Sequence, residues 1–172
     1  ALASDSGKTG LHTSLGQAYL HAGQLEKAEG EFQLELQADS AYELAWLGRA
    51  ESALARGQAG EALEDVGKVW NISPEFLVLQ REFPTIELSP QAAKAQISAI
   101  QASSTDGPPA HFLLASLYAA ANDSAQSEAQ WNGVHLDFQA WQNHDLRRGK
   151  AYIHRANLCF SSLRQSALIL PV

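Results

Sequence analysis

At 172 residues the chain can form one domain or a short array of repeats, and it is long enough to bury a sizeable core. Hydrophobic residues make up 45% and charged residues 18%, a globular balance that excludes a disordered chain, and no apolar run approaches the roughly 18 residues of a membrane span. A net charge of −7 argues against nucleic acid or an anionic membrane as the main partner, and the single cysteine excludes an internal disulfide and a cysteine-only metal cage. Alanine, leucine, glutamine and glutamate dominate while β-branched residues are sparse, which favours helices. The chain holds no methionine, so it is expected to be a processed protein or an excised fragment.

Residues 1–8 read as a polar N-terminal tail. Its end, DSGKTG, has the Gly-Lys-Thr with which a phosphate-binding P-loop closes. That loop also needs a glycine five residues before Gly7, where Leu2 stands, and a preceding buried strand, for which there is no room. Nucleotide binding is therefore rejected. The bland alternative is a lead-in from which Ser6, Thr9 or Thr13 caps the first helix.

Two stretches then repeat. LHTSLGQAYLHAGQLEKAEGEFQLELQADS (11–40) and AWLGRAESALARGQAGEALEDVGKVWNISP (45–74) align at a constant offset of 34, pairing His12 with Trp46, Gly16 with Ala50, Gly23 with Gly57, Ala28 with Ala62, Phe32 with Val66 and Ser40 with Pro74. Each is a pair of helical-period segments joined at AGQ (22–24) or RGQ (56–58), where a glycine suits a helix end. Small residues at Gly16, Ala28, Ala50 and Ala62 permit close helix approach, and Tyr19, Phe32, Trp46 and Trp70 fill the gaps. One such hairpin cannot bury its own apolar face, so neighbours must stack.

Leu15-Gly16-x-x-Tyr19, Ala28-x-x-x-Phe32, Trp46 and Pro74 at these spacings resemble the tetratricopeptide repeat family. The resemblance implies an all-α, right-handed α-solenoid of antiparallel helix pairs, a superhelix of that family's kind. It covers residues 9–74 as two units.

Residues 75–106 lack the repeat's signature residues and are expected to be a divergent helical pair: a short helix ending near Pro84, a TIEL loop, and a helix led by Ser89-Pro90, a cap followed by proline at the first helical position. SSTDGPP (103–109) reads as a turn. Residues 107–140 form a third unit like the first two, with His111, Leu114, Ala115 and Tyr118 in the signature places and Asn122 where the turn glycine would stand. Residues 141–172 are expected to hold a C-terminal helix or a partial further repeat, AYIHRANLCFSSL being its first helix. Charge divides unevenly: residues 1–140 carry −11 and residues 141–172 carry +4.

No constellation carries recognisable chemistry. The six histidines form no H-E-x-x-H and no ligand-spaced pair with a carboxylate, and His12 and His111 are expected to be packed aromatics in the usual tryptophan place. There is no G-x-S-x-G, and Cys159 sits among apolar and small residues as a structural thiol would. Glu31 and Glu35 share a helix face that reads as a solvated acidic surface. The expectation is a non-enzyme without metal or cofactor.

What the resemblance implies for function is a protein–protein interaction scaffold. A peptide or partner helix would lie in a concave groove lined by the first helix of each pair. The inward positions are Thr13, Gln17, Leu20 and His21 in the first unit, Leu47, Glu51 and Leu54 in the second, and Phe112, Ser116 and Ala119 in the third. The lysines and asparagine with which some family members hold a C-terminal carboxylate are missing from these helices. The alternative is an accessory repeat domain of a larger multidomain enzyme or sensor whose chemistry lies outside this chain. No nucleic acid and no membrane insertion are expected, and the apolar end ALILPV, beside the basic segment, suggests weak self-association through the C-terminal face.

Overall fold

Glycine and proline set the boundaries of the helices. In the computed structural model, which describes residues 10–80, 88–103 and 105–167, with side chains described as far as residue 146, helix α1 spans Leu11–His21 and α2 Leu25–Ala38. The next pair is α3, Glu43–Ala55, and α4, Ala59–Ile72. A short α5, Pro74–Leu79, leads towards α6, Pro90–Ala102, and then come α7, Pro108–Ala120, and α8, Ser124–Ala167. Among the described residues there is no strand, so the fold is all-α.

Three turns have one construction. Gly23, Gly57 and Asn122 all adopt the left-handed conformation, with φ of 70°, 81° and 62°. In each, this residue's N–H donates to the carbonyl three residues back, and the next residue's N–H donates to the one five back. These bonds run from Gln24 to Tyr19, Gln58 to Ala53 and Asp123 to Tyr118, each at 2.9 Å. They occupy carbonyls that a helix end would otherwise leave without donors. The register of 34 extends beyond the turns: Gln24 and Gln58 precede their helices with near-identical torsions (−93°, 67° and −102°, 63°), and Asp39 and Ser73 end them alike. Each turn folds a hairpin, α1 on α2, α3 on α4 and α7 on α8.

Close approach between hairpins depends on glycine. Phe32 is fully buried between α1 and α3: a Cβ at Gly16 would stand 2.6 Å from its ring, and one at Gly48 would overlap it. Ala28 and Ala62 are likewise fully buried. A second, larger core runs from Leu47 and Leu54 through Val66, Val69 and Leu77 to Ile97, Ile100, Leu113 and Val134.

Between the second and third hairpins lie two further helices, α5 and α6. α5 packs on α4 and α8, whereas α6 packs on α4 and α7. Their main partners are other helices rather than each other, and α4 meets α7 as α2 meets α3. Ser89 caps α6 as its sequence suggests, accepting from the N–H of Ala92 at 3.2 Å, with Pro90 at the first helical position.

The second departure is α8. Instead of a turn separating a new helix near residue 151, it is continuous for 44 residues, about 66 Å at 1.5 Å per residue. No proline interrupts Ser124–Ala167, and neither Gly133 nor Gly149 is followed by a stop signal. No helix among the described residues is long and apolar enough to cross a membrane. The tail with DSGKT, the TIEL loop through Glu87, the side chain of Cys159 and the apolar terminus from Leu168 onward lie outside the described residues and side chains.

Candidate functional site

The ten positions expected to line a groove separate by burial. Thr13, Leu20, Leu47, Glu51, Leu54 and Phe112 are buried, Gln17 and Ser116 are half-buried, and His21 and Ala119 are exposed. Leu20 joins Ala28 and Phe32 in the smaller core, and Leu47, Leu54 and Phe112 belong to the larger one. Phe112 also meets Trp131 of α8 edge to face, with ring centroids 5.4 Å apart. Apolar side chains at helix crossings are thus drawn into packing, each stabilising by roughly 1.5–3 kcal/mol on burial. The surface left on the first helices of the hairpins is mixed, with Leu11, Leu15 and Leu44 exposed beside the polar positions.

Among these positions Gln17 and Glu51 are in direct contact. Gln17 Nε2 donates to Glu51 Oε2 across α1 and α3 at 3.2 Å. Glu51 is 1% exposed, and its other oxygen, Oε1, has no hydrogen-bond partner. Burial pushes its carboxyl up to about 8, with the Gln17 bond pulling weakly the other way. Thr13, one turn before Gln17 on the same side of α1, is also buried and leaves its Oγ1 unpartnered.

A second buried glutamate has a different fate. Glu35 of α2 accepts from the N–H of Gly10 at 2.8 Å and of Thr13 at 3.1 Å. The start of α1 has no side-chain cap of its own, so a carboxylate from the partner helix satisfies two donors there. This corrects two sequence expectations. The cap is not the Thr13 side chain, and Glu35 does not face solvent. Glu31 is engaged as well, paired with His12 Nδ1 at 2.7 Å.

His12 and His111 are polar links, and the His111 ring is packed as well, lying against Gly133 of α8. His111 lies between Asp137 of α8, at 2.8 Å from Nδ1, and Asp106, at 3.4 Å from Nε2. Both histidines join the first helix of a hairpin to a carboxylate on the second, although the two carboxylates occupy different places in the sequence. Among the described residues no group of three His, Cys, Asp or Glu side chains is arranged to hold a metal.

Two arginines near this face are paired. Arg49 stacks over Trp46 at 5.0 Å and meets Asp65 at 3.5 Å. Burial raises the Asp65 carboxyl to about 6 against the pull of Arg49. Arg56, at the end of α3, reaches Glu29 of α2 and Glu61 of α4, tying two hairpins together.

Compared with models of known protein families, with curated proteins and with solved structures, the chain has no match.

Proposed function

We propose that the chain is a non-catalytic protein-interaction module, a short α-solenoid of the tetratricopeptide kind that holds a peptide or partner helix against the first helices of its hairpins. The observation that carries this reading is the threefold recurrence of one turn at Gly23, Gly57 and Asn122. With it comes a 34-residue register of helix ends between the first two hairpins. Recurrent hairpins stack by presenting equivalent faces side by side, and such an array offers a partner an extended surface rather than an enclosed cavity. Gln17, His21, Ser116 and Ala119 remain accessible on that surface.

Peptides selected from a random displayed library against the whole chain provide the test, with affinity then measured by fluorescence polarisation. His21→Glu and Ser116→Arg should each weaken a selected peptide at least about tenfold, a loss of roughly 1.4 kcal/mol. Glu26→Arg, on the exposed side of α2, should leave it unchanged. Equal losses in all three variants, or a selection that yields no saturable binder, would sink the reading.

A further inference from the structure

Protein interiors rarely leave a carboxyl group without a cation and with one oxygen unbonded, because either form is costly away from water. Glu51 is in that position. Its carboxyl accepts one hydrogen bond, from the Gln17 amide, and Thr13 Oγ1 adds a second unpartnered acceptor on the adjoining helix. We propose that Glu51, Gln17 and Thr13 form an acceptor site for a primary ammonium group, and specifically for a lysine side chain of the bound partner. The assignment rests on the partner-binding reading above and names the partner's chemistry.

Three observations converge on it. The first is charge. Helices α1, α2 and α4 pack on α3, and none of their charged groups compensates Glu51. His12 is on Glu31, Glu35 on the backbone of Gly10 and Thr13, Asp65 on Arg49, and Glu29 and Glu61 on Arg56. His21, Glu26, Lys27, Glu64 and Lys68 are exposed at the surface. The second is hydrogen-bonding capacity. An ammonium has three donors and no acceptor, and Glu51 Oε1 and Thr13 Oγ1 are both acceptors without donors. The third is access. Thr13 and Glu51 are buried, but Gln17 is half-buried and its bond to Glu51 is part-buried. Gln17 is therefore the partly exposed member of the group, and in the proposal an incoming ammonium displaces its amide from Glu51.

Binding carries a proton signature. The ammonium pairs with the ionised carboxylate, whereas burial keeps the free site protonated up to about pH 8. Each binding event below that pH therefore releases a proton, and affinity rises about tenfold per pH unit until the carboxyl ionises unaided.

Nα-acetyl-lysine N-methylamide is the probe, titrated into the whole chain and followed by the amide NMR resonances of Gln17 and Glu51. Saturable shifts are expected, with Kd falling at least about tenfold between pH 6 and pH 8. The uncharged norleucine analogue should give none. Trialanine amide, which offers only an N-terminal ammonium, should bind more weakly; binding as tight as the lysine probe would overturn the side-chain assignment. Glu51→Gln should abolish the response while the melting curve shows a folded chain. Thr13→Val should weaken it several-fold and is the second variant if Glu51→Gln does not fold. No saturable shift, a Kd independent of pH, or an equal response from norleucine would overturn the proposal. A library-selected peptide that holds the same face without any lysine would overturn it too, and would leave the interaction module standing.

Discussion

Residues 11–74 and residues 75–167 use the same turn and the same kind of hairpin, yet only the first region keeps a register. In α1–α4 the turn residue, the entry torsions of the second helix and its extended exit all recur 34 residues apart. In α5–α8 the turn at Asn122 recurs, but α5 and α6 pack elsewhere and α8 does not stop. A left-handed residue with its two hydrogen bonds is a local device. It survives wherever a glycine or asparagine stands after a helix, whereas register requires that interlocking side chains also repeat. Phe32 between Gly16 and Gly48 is the interlock of the first region, and Phe112 against Trp131 is that of the second.

The largest expected effect tests those interlocks. Phe32→Ala and Phe112→Ala should each destabilise the chain by about 3–5 kcal/mol, since both rings are fully buried. At roughly 2–4 °C per kcal/mol for a chain of this length, thermal melts should fall by about 6–20 °C. The two should differ in reach. Loss of Phe32 should loosen hydrogen-exchange protection in α1 and α2 while leaving α7, and loss of Phe112 should do the reverse. Uniform loss of protection in both variants would mean that the regions fold as a single cooperative unit.

Next in size is pH. The folded-state carboxyl of Glu51 is raised from 4.5 to about 8 and that of Asp65 from 3.8 to about 6, both chiefly by burial. The folded chain therefore binds more protons than the unfolded one between each pair of values, and stability falls as pH rises through them. The contribution is complete below the unfolded values and is lost by about pH 6 for Asp65 and about pH 8 for Glu51. Melting temperature should decline from pH 5 to pH 8, and Glu51→Gln should flatten the upper part of that decline. An unchanged slope in Glu51→Gln would show that this carboxyl already meets water.

How much of this the sequence displays follows from how far each interaction reaches along the chain. The turns at Gly23, Gly57 and Asn122, the Ser89-Pro90 start of α6 and the small residues Gly16, Ala28 and Ala62 depend on neighbours or on the helical period, and all are readable. Glu35 is not. Its donors lie 25 and 22 residues away, and helical spacing alone gives it the same surface character as Glu31. Glu51 is half-readable, because its inward place on α3 follows from the repeat, but its contact with α1 and its burial depend on what covers the crossing. Gly48 escapes because the alignment opposes Gly16 to Ala50, although it is Gly48 that meets the same ring from α3.

Gly48 therefore gives the third test. Gly48→Ala should cost about 1–3 kcal/mol, since the added methyl overlaps Phe32 and the ring is enclosed on both sides. Gly60→Ala, at a helical position with nothing within 4 Å, should instead stabilise by up to about 1 kcal/mol through helix propensity. Combining Gly48→Ala with Phe32→Leu should recover part of the first loss, as a double-mutant cycle measures. Purely additive effects would place the new methyl somewhere other than the ring.

The smallest effects separate the three turns from one another. Asn122 holds a left-handed φ of 62° that glycine adopts without strain. Asn122→Gly should therefore stabilise the third turn by a few tenths of a kcal/mol up to about 1 kcal/mol. Gly23→Ala should do the opposite by about 1 kcal/mol, as nothing lies within 4 Å of its added methyl and backbone conformation is the whole cost. Gly57→Ala should cost somewhat more, because its methyl would also stand 3.4 Å from Nε2 of Gln96. That amide donates to the Leu54 carbonyl at 3.5 Å from a buried side chain, so α6 leans on the second turn while the first stands free. Equal losses for Gly23→Ala and Gly57→Ala in urea titrations would mean that α6 yields without cost. A larger loss at Gly57, reduced when Gln96 is also replaced by alanine, would tie the inserted helix to the turn it covers.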